Sequence, residues 1–256
     1  MTLSVCMIAH NEEGHIGEAL ESAHFADEII VADCASTDET ALIARAFGAR
    51  VFPRPNLANL NVNKNLTFEQ ATGDYILCLD ADEMVPKETA REILETIRRQ
   101  PPEAGFFLPR RNHFLGQWLR HGGQYPDWQL RLFRRGKGRF PERHVHERLQ
   151  IDGPIGRLRQ PLDHFPYESP EECRRKLDFY TSFEARHLFH SGIRPAPFRA
   201  LQYLYWMPAQ RFLRRYLLKG GFLDGRAGWQ AMRMDMNNFR MRYRKLCKLA
   251  LAARPT

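Results

Sequence analysis

The sequence has no disulfide framework. Its five cysteines (Cys6, Cys34, Cys78, Cys173, Cys247) are scattered, odd in number and include no C-x-x-C pair. Cys6 and Cys78 lie inside apolar runs, where a small buried thiol fits, and the pattern suits a reducing compartment. No stretch approaches the roughly 20 apolar residues that span a bilayer. The start, Met1-Thr2-Leu3-Ser4-Val5, has no basic region before its apolar run, so no signal peptide is expected. A Gly-x-Gly-x-x-Gly turn after the first apolar run and a P-loop lysine motif are also missing. Neither a dinucleotide fingerprint nor a P-loop phosphate cradle is therefore expected.

What is present is enough for one sizeable core, since 43% of the 256 residues are hydrophobic. Charge is unevenly spread. Residues 1–169 hold 20 Lys and Arg against 24 Asp and Glu, whereas residues 170–256 hold 18 against 6. The net charge of +8 thus belongs to the C-terminal third, which suits an anionic lipid or nucleic-acid partner.

The most informative stretch is Gly73-Asp74-Tyr75-Ile76-Leu77-Cys78-Leu79-Asp80-Ala81-Asp82-Glu83. A turn feeds five apolar or aromatic residues, which read as a strand buried on both faces of a parallel sheet. Three carboxylates follow at its carboxyl end, where open α/β sheets bind ligands. Oxygen ligands at alternate positions suit Mg2+ or Mn2+, ions that commonly carry phosphates. A strand followed by an acidic helix start, with Pro86-Lys87-Glu88 opening the helix, would explain Asp-x-Asp alone equally well.

Neighbouring segments repeat the pattern. Leu3–Ala9 reads as a strand ending in His10-Asn11-Glu12-Glu13-Gly14, then a helix with Ile16, Leu20 and Ala23 on one face. Residues 28–32 form a second strand ending in Asp33, with a helix expected from Ser36 through Phe47 to Gly48. Residues 50–52 make a third strand and Asn63–Ala71 a helix. Strand and helix alternating at this spacing predict a doubly wound, mostly parallel sheet. Asn11 with Glu12 and Glu13, Asp33, and Asp80 with Asp82 then gather on one rim. A rim so acidic suits phosphate only if a metal supplies positive charge.

Taken in order, IAHNEE, VADCASTDET and NKNLTFEQATGDYILCLDADE resemble the family-2 glycosyltransferases of the GT-A fold. The resemblance covers residues 3–150. It implies a metal-dependent, inverting sugar transfer from a nucleoside diphosphate sugar, most simply a UDP-sugar. By motif position Asp33 would meet the base, Asp80 the ribose, and Asp82 the metal and diphosphate. Asn11, Glu13 and Lys64 would line the nucleotide pocket, with Ala9 and Ala81 beside them. Cys34-Ala35 departs from the small polar or glycine residues of many relatives.

Beyond an amphipathic helix at Lys87–Gln100 and a strand at Gly105–Leu108 comes an aromatic, glycine-containing loop. It leads to Pro126-Asp127-Trp128-Gln129-Leu130-Arg131-Leu132-Phe133. Displacement at an anomeric carbon needs a base for the acceptor hydroxyl. Asp127 lies where the family carries that base, although an aspartate after Pro126 could equally cap a turn. Arg131 could hold the diphosphate or an acidic acceptor, or stand exposed on the strand. In His144-Val145-His146-Glu147 both histidines would share one strand face. His146, with Glu147, is either a further metal or diphosphate contact or an ordinary polar strand residue.

A helix starts at Ser169-Pro170-Glu171-Glu172, so the expected division is a catalytic domain at 1–168 and a basic helical extension at 169–256. The segment Phe198–Leu218, broken by Pro208, and a final helix with Trp229, Met232, Phe239 and Tyr243 on one stripe are aromatic and basic. Such helices lie on membranes, though packing on the catalytic domain would use the same stripe. YPDWQLRLFRRG, VHE and RYLLKGGFLDG resemble the bacterial transferases of lipopolysaccharide inner core, with β-1,4 glucosyl transfer to heptose the nearest activity. That implies a lipid-linked saccharide acceptor, an anionic membrane surface as partner, no nucleic acid, and a peripheral position on the cytoplasmic membrane's inner face. Two other readings stand beside it: a sugar-nucleotide-forming nucleotidyltransferase, and a glycosyltransferase acting on another polysaccharide or lipid carrier.

Overall fold

The computed structural model describes residues 1–57, 59–142 and 147–253. Contacts gather them into two compact units, one of residues 1–111 with 127–164, the other of residues 112–126 with the chain from 165 on. Where the linear reading divides the chain at 168/169, the contacts also group segment 112–126 with the C-terminal helices.

The first unit opens with β1 (Leu3–Ala9), α1 (Ile16–Ser22), β2 (Glu28–Asp33), α2 (Thr40–Ala46), β3 (Arg50–Pro53), α3 (Leu60–Gln70) and β4 (Tyr75–Cys78). β1 pairs in parallel with β2 and β4, and β3 pairs in parallel outside β2. Alternate β1 residues serve two cores. Leu3, Val5 and Met7 pack with Val31, Leu77 and Ile93 on one face. Cys6 packs with Ile30, Ile76, Phe68 and Phe133 on the other. Burial on both faces explains the near-continuous apolar runs, and it pushes the Cys6 and Cys78 thiols up, so neither ionises.

The second half of the sheet adds antiparallel strands to the mostly parallel arrangement expected. After β5 (Glu83–Met84) and α4 (Lys87–Arg98) come β6 (Gly105–Phe114), β7 (Gln117–Trp118), β8 (Asp127–Arg134), β9 (Gly138–Arg139), β10 (Gln150–Ile151), β11 (Ile155–Arg157) and β12 (Leu162–Tyr167). β8 runs antiparallel to both β4 and β6. The main path is β3-β2-β1-β4-β8-β6-β12-β5. Another local departure is α2, which starts at Thr40 rather than near Ser36. Residues 36–39 are spent on the 11–13 turn: Asn11 N donates to Ser36 Oγ (3.0 Å), Thr37 N to Asn11 Oδ1 (2.8 Å), and Glu39 N to Glu13 Oε2 (3.1 Å).

In the second unit, Ser169 caps α5 (Pro170–His190) by accepting from Glu172 N. α6 (Pro197–Leu201), a π-helical stretch (Gln202–Trp206), α7 (Met207–Arg211) and a second π-helical stretch (Phe212–Leu218) follow end to end. The helix therefore continues through Pro208 instead of breaking. Pro208 sits in the first turn of α7, where a π-to-α junction makes its missing N–H inexpensive. A 3₁₀ turn (Gly221–Asp224) leads into α8 (Gly225–Ala252), whose Tyr243 and Leu246 bury against Ala185 of α5. Asp224, itself buried, accepts from Arg120 N (3.2 Å) and His121 N (2.9 Å) and pairs with His121 Nδ1 (2.8 Å), fixing the 117–124 loop. No helix among the described residues is long and apolar enough to cross a membrane.

The entry to β4 is braced by Glu28, whose carboxylate accepts from Ser4 Oγ and Thr72 N (2.5 Å each) and from Arg50 Nη1 (2.9 Å). Gly73 fits there because a Cβ would lie 2.6 Å from Ser4 Oγ and 2.8 Å from Ser4 N. Burial alone would raise the Glu28 carboxyl, but the bonds from Ser4, Thr72 and Gly73 pull it down to about 2 from its ordinary 4.5. A depressed carboxylate stabilises above its unfolded pKa and loses that stabilisation as pH falls through its folded one. Solvent screening at this partly exposed carboxylate leaves a stabilisation on the order of 1–2 kcal/mol, lost between about pH 4.5 and 2. Glu28→Gln should flatten the stability-pH curve in that window in urea melts; an unchanged acid limb would contradict the assignment.

Candidate active site

The parallel register sets Ala9 beside Asp33 and Cys6 beside Cys78, so the carboxyl ends of β1, β2 and β4 share one edge. On that edge the Asp80–Glu83 turn closes on itself: Glu83 N donates to Asp80 O (3.0 Å), and Asp80 N donates to Glu83 Oε2 (3.1 Å). The turn sends its three carboxylates different ways.

Asp80 is held by two cations. Lys64 Nζ of α3 lies 2.6 Å from Oδ1, and Arg131 Nη2 of β8 donates to Oδ2. Burial would raise the Asp80 carboxyl, yet Arg131 and Lys64 keep it well below the usual carboxylate range. Both partners respond in kind: burial would lower Lys64 and Arg131, and the facing carboxylates raise them instead. Asp80 and Lys64 are ionised at neutral pH. Arg131, expected as a diphosphate contact or an exposed residue, is 5% exposed and committed to this network.

Glu83 is fully buried and its Oε1 accepts from Arg131 Nη2 (2.6 Å) and Arg110 Nη1 (2.9 Å). Arg110 reaches on to Asp127, with Nε at 3.0 Å and Nη2 at 2.7 Å from Oδ2, while Gln129 Nε2 donates to Oδ1 (2.8 Å). An unbroken chain therefore runs Lys64–Asp80–Arg131–Glu83–Arg110–Asp127, with three cations and three anions in balance. The charges are fixed and oriented, which suits a site that must meet further charge without reorganising.

Asp82 faces another way, with His164 Nε2 of β12 at 3.5 Å from Oδ2. A hard carboxylate on a tight turn, beside an imidazole, fits Mg2+ or Mn2+ bound through one or two carboxylates plus substrate phosphates. Among the described residues no three His, Cys, Asp or Glu side chains gather as a metal centre. His144 and His146, the second expected metal contact, lie outside the described residues.

Asp33 is buried at the end of β2, with Ser36 N donating to Oδ1 at 3.3 Å. Ala9 and Ala81 are buried backbone positions on the same rim. Asn11 and Glu13 brace the two βα turns to each other through the bonds given above. Sequence reasoning passed over Arg110, Gln129 and His164, and counted Glu83 only as one acid among three. Arg110 faces Asp127 through β6–β8 register, a pairing that no local pattern announces. The one available signal was Glu83 itself, since an acid at a buried strand position demands a cation.

Removing a buried ion-pair partner costs about 3–5 kcal/mol because the other charge is stranded. Glu83→Gln should lose stability of that order in urea unfolding. Glu95→Gln, which touches the exposed pair with Arg99 at 3.8 Å, should stay within about 0.5 kcal/mol. Equal effects would show that Glu83 does not anchor the network.

A model of Glycosyl transferase family 2 matches residues 4–161. A lipopolysaccharide core biosynthesis glycosyltransferase (LpsC) of Rhizobium meliloti is 28% identical over all of this chain and 96% of its own length. An uncharacterised glycosyltransferase of Rickettsia typhi is 28% identical over 87% of this chain and 81% of its own. Among solved structures, Staphylococcus aureus TarS (residues 1–349, with UDP) superposes with a TM-score of 0.51 at 17% identity, covering 95% of this chain and 90% of that one. That likeness gives the first unit's curled, part-parallel sheet its name, the GT-A fold. With more than half its length matched by the family model, the chain belongs to glycosyl transferase family 2.

Proposed function

We propose that this glycosyltransferase inverts configuration while moving a hexose, most simply glucose, from a nucleoside diphosphate sugar to a lipid-linked saccharide. The observation that carries the reading is the ion-pair chain, which ties Asp80 on the donor rim to Asp127 through two buried arginines. Asp33 and Asp80 offer carboxylates to a base and a ribose, and a UDP-sugar fits that set. Asp82 would hold Mg2+ or Mn2+ together with the diphosphate, and the ion would offset charge on the leaving group. Asp127 takes the proton of the acceptor hydroxyl, whose oxygen bonds to the anomeric carbon as the carbon–diphosphate bond breaks. Arg110 and Gln129 hold the carboxylate for that task. The nucleoside diphosphate leaves with the bonding electrons, and attack from the opposite face inverts the centre.

The relative's role in lipopolysaccharide core synthesis supports a heptose of inner core as acceptor. On this reading the enzyme works as a peripheral protein on anionic lipid at the inner face of the cytoplasmic membrane. Another lipid carrier or polysaccharide is the acceptor if inner-core saccharide is not glycosylated. A nucleotidyltransferase would need a cationic triphosphate loop after β1, where this chain has Asn11, Glu12 and Glu13.

Asp127→Asn should lower transfer by about 10²- to 10⁴-fold while leaving donor affinity unchanged, measured as product formation beside donor binding. Asp82→Ala should weaken both. Full activity of Asp127→Asn, or a product that keeps the donor's anomeric configuration by proton NMR, would remove Asp127 as the base of an inverting reaction.

A further inference from the structure

One face of helical segment 197–218 presents apolar side chains to solvent, while Ala200, Tyr203 and Leu204 pack inward. Exposure along it repeats every four residues: positions 201–202, 205–206, 209–210, 213–214 and 217–218 are exposed, and the pairs between are not. An α-helix turns once in about 3.6 residues, so a four-residue repeat should drift around it. The two π-helical stretches, Gln202–Trp206 and Phe212–Leu218, take more residues per turn and cancel that drift. Leu201, Tyr205, Ala209, Leu213 and Leu217 consequently form one straight outer row. Beside it runs a second, mixed row of Gln202, Trp206 (64% exposed), Gln210, Arg214 and Leu218 (76% exposed). The 3₁₀ turn that follows adds exposed Phe222 and Leu223. A solvent face this apolar is the reverse of an ordinary surface helix.

The charge around it has one sign. From Ala185 to Leu223 there is no aspartate or glutamate, while seven Lys and Arg fall in the same 39 residues. Arg211 and Arg215 lean on Asp235 of α8, at 3.6 and 2.7 Å; Arg214 and Lys219 are exposed beside the apolar row. We propose that the outer face of residues 198–223 is the surface by which the protein lies on an anionic lipid bilayer. Aromatic and leucine side chains enter the interface and the cations meet lipid phosphates. A second copy is the poorer occupant. A two-fold interface through this face would set its cations against their own copies, with no carboxylate within the segment to answer them. The inference deepens the membrane part of the proposed function and is independent of the sugar chemistry.

The test is co-sedimentation of the full chain with phosphatidylcholine vesicles, with and without about one-third phosphatidylglycerol. Binding should require phosphatidylglycerol and weaken at high salt. Leu213→Glu/Leu217→Glu should weaken it at least tenfold, while Leu42→Glu, at a still more exposed leucine on α2, leaves it unchanged. Circular dichroism and thermal melts confirm that the variants are folded. Donor binding in vesicle-free solution should be the same in all of them, so a failed vesicle result leaves the transferase reading standing. No sedimentation at any lipid composition would overturn the proposal, as would binding indifferent to the double variant. A dimer that the double variant dissociates would assign the face to a second copy and also overturn it.

Discussion

A single buried carboxylate organises the first unit's site. Glu83 has no exposed surface, and an isolated charge there would be costly enough to unfold the turn or force protonation. Arg131 and Arg110 remove that cost by donating to the same oxygen, while the other oxygen takes the Asp80 amide. Once both arginines are anchored, their remaining donors are aimed. Arg131 points at Asp80 and Arg110 at Asp127. The orientation of the two carboxylates most directly implicated in chemistry thus follows from one acid that touches neither donor nor acceptor in the proposed reaction.

The sheet supplies the reach. Parallel pairing brings the ends of β1, β2 and β4 to one edge, and antiparallel β8 and β6 then lay Arg131, Asp127 and Arg110 alongside. Lys64 arrives from α3, whose asparagines face inward; Asn65 exchanges bonds with both backbone groups of Phe140. Three cations and three anions in sequence leave no net charge in the chain, so the acidity of the rim lies with Asp33 and Asp82 and with Glu12 and Glu13 of the first turn.

Much of this was legible in the sequence because it is written locally. The apolar runs 3–9, 28–32 and 75–79 announced buried strands, and the structure brings their acid-bearing carboxyl ends to one edge. Ser169-Pro170-Glu171-Glu172 announced the start of α5. What escaped was non-local. The pairing of Arg110 with Asp127 depends on strand register across an excursion that groups with the other unit, and Arg131 read as a ligand contact or an exposed strand residue, not as part of a buried network. The tail misled for another reason. Pro208 read as a break under a period of 3.6, whereas π turns absorb the proline and align Leu201, Tyr205, Ala209, Leu213 and Leu217 in one straight apolar row.

The measurement that bears most directly on the central claim is calorimetric titration of the unmodified protein with UDP-glucose and UDP, with and without Mn2+. A nucleoside diphosphate sugar should bind, more tightly with the metal present, because the rim offers the carboxylates of Asp33 and Asp82 while Lys64, Arg131 and Arg110 are held in ion pairs. Absence of binding by UDP, GDP and CDP sugars alike, with metal present, would contradict the account. The chain from Lys64 to Asp127 would then be a structural network with no donor site above it.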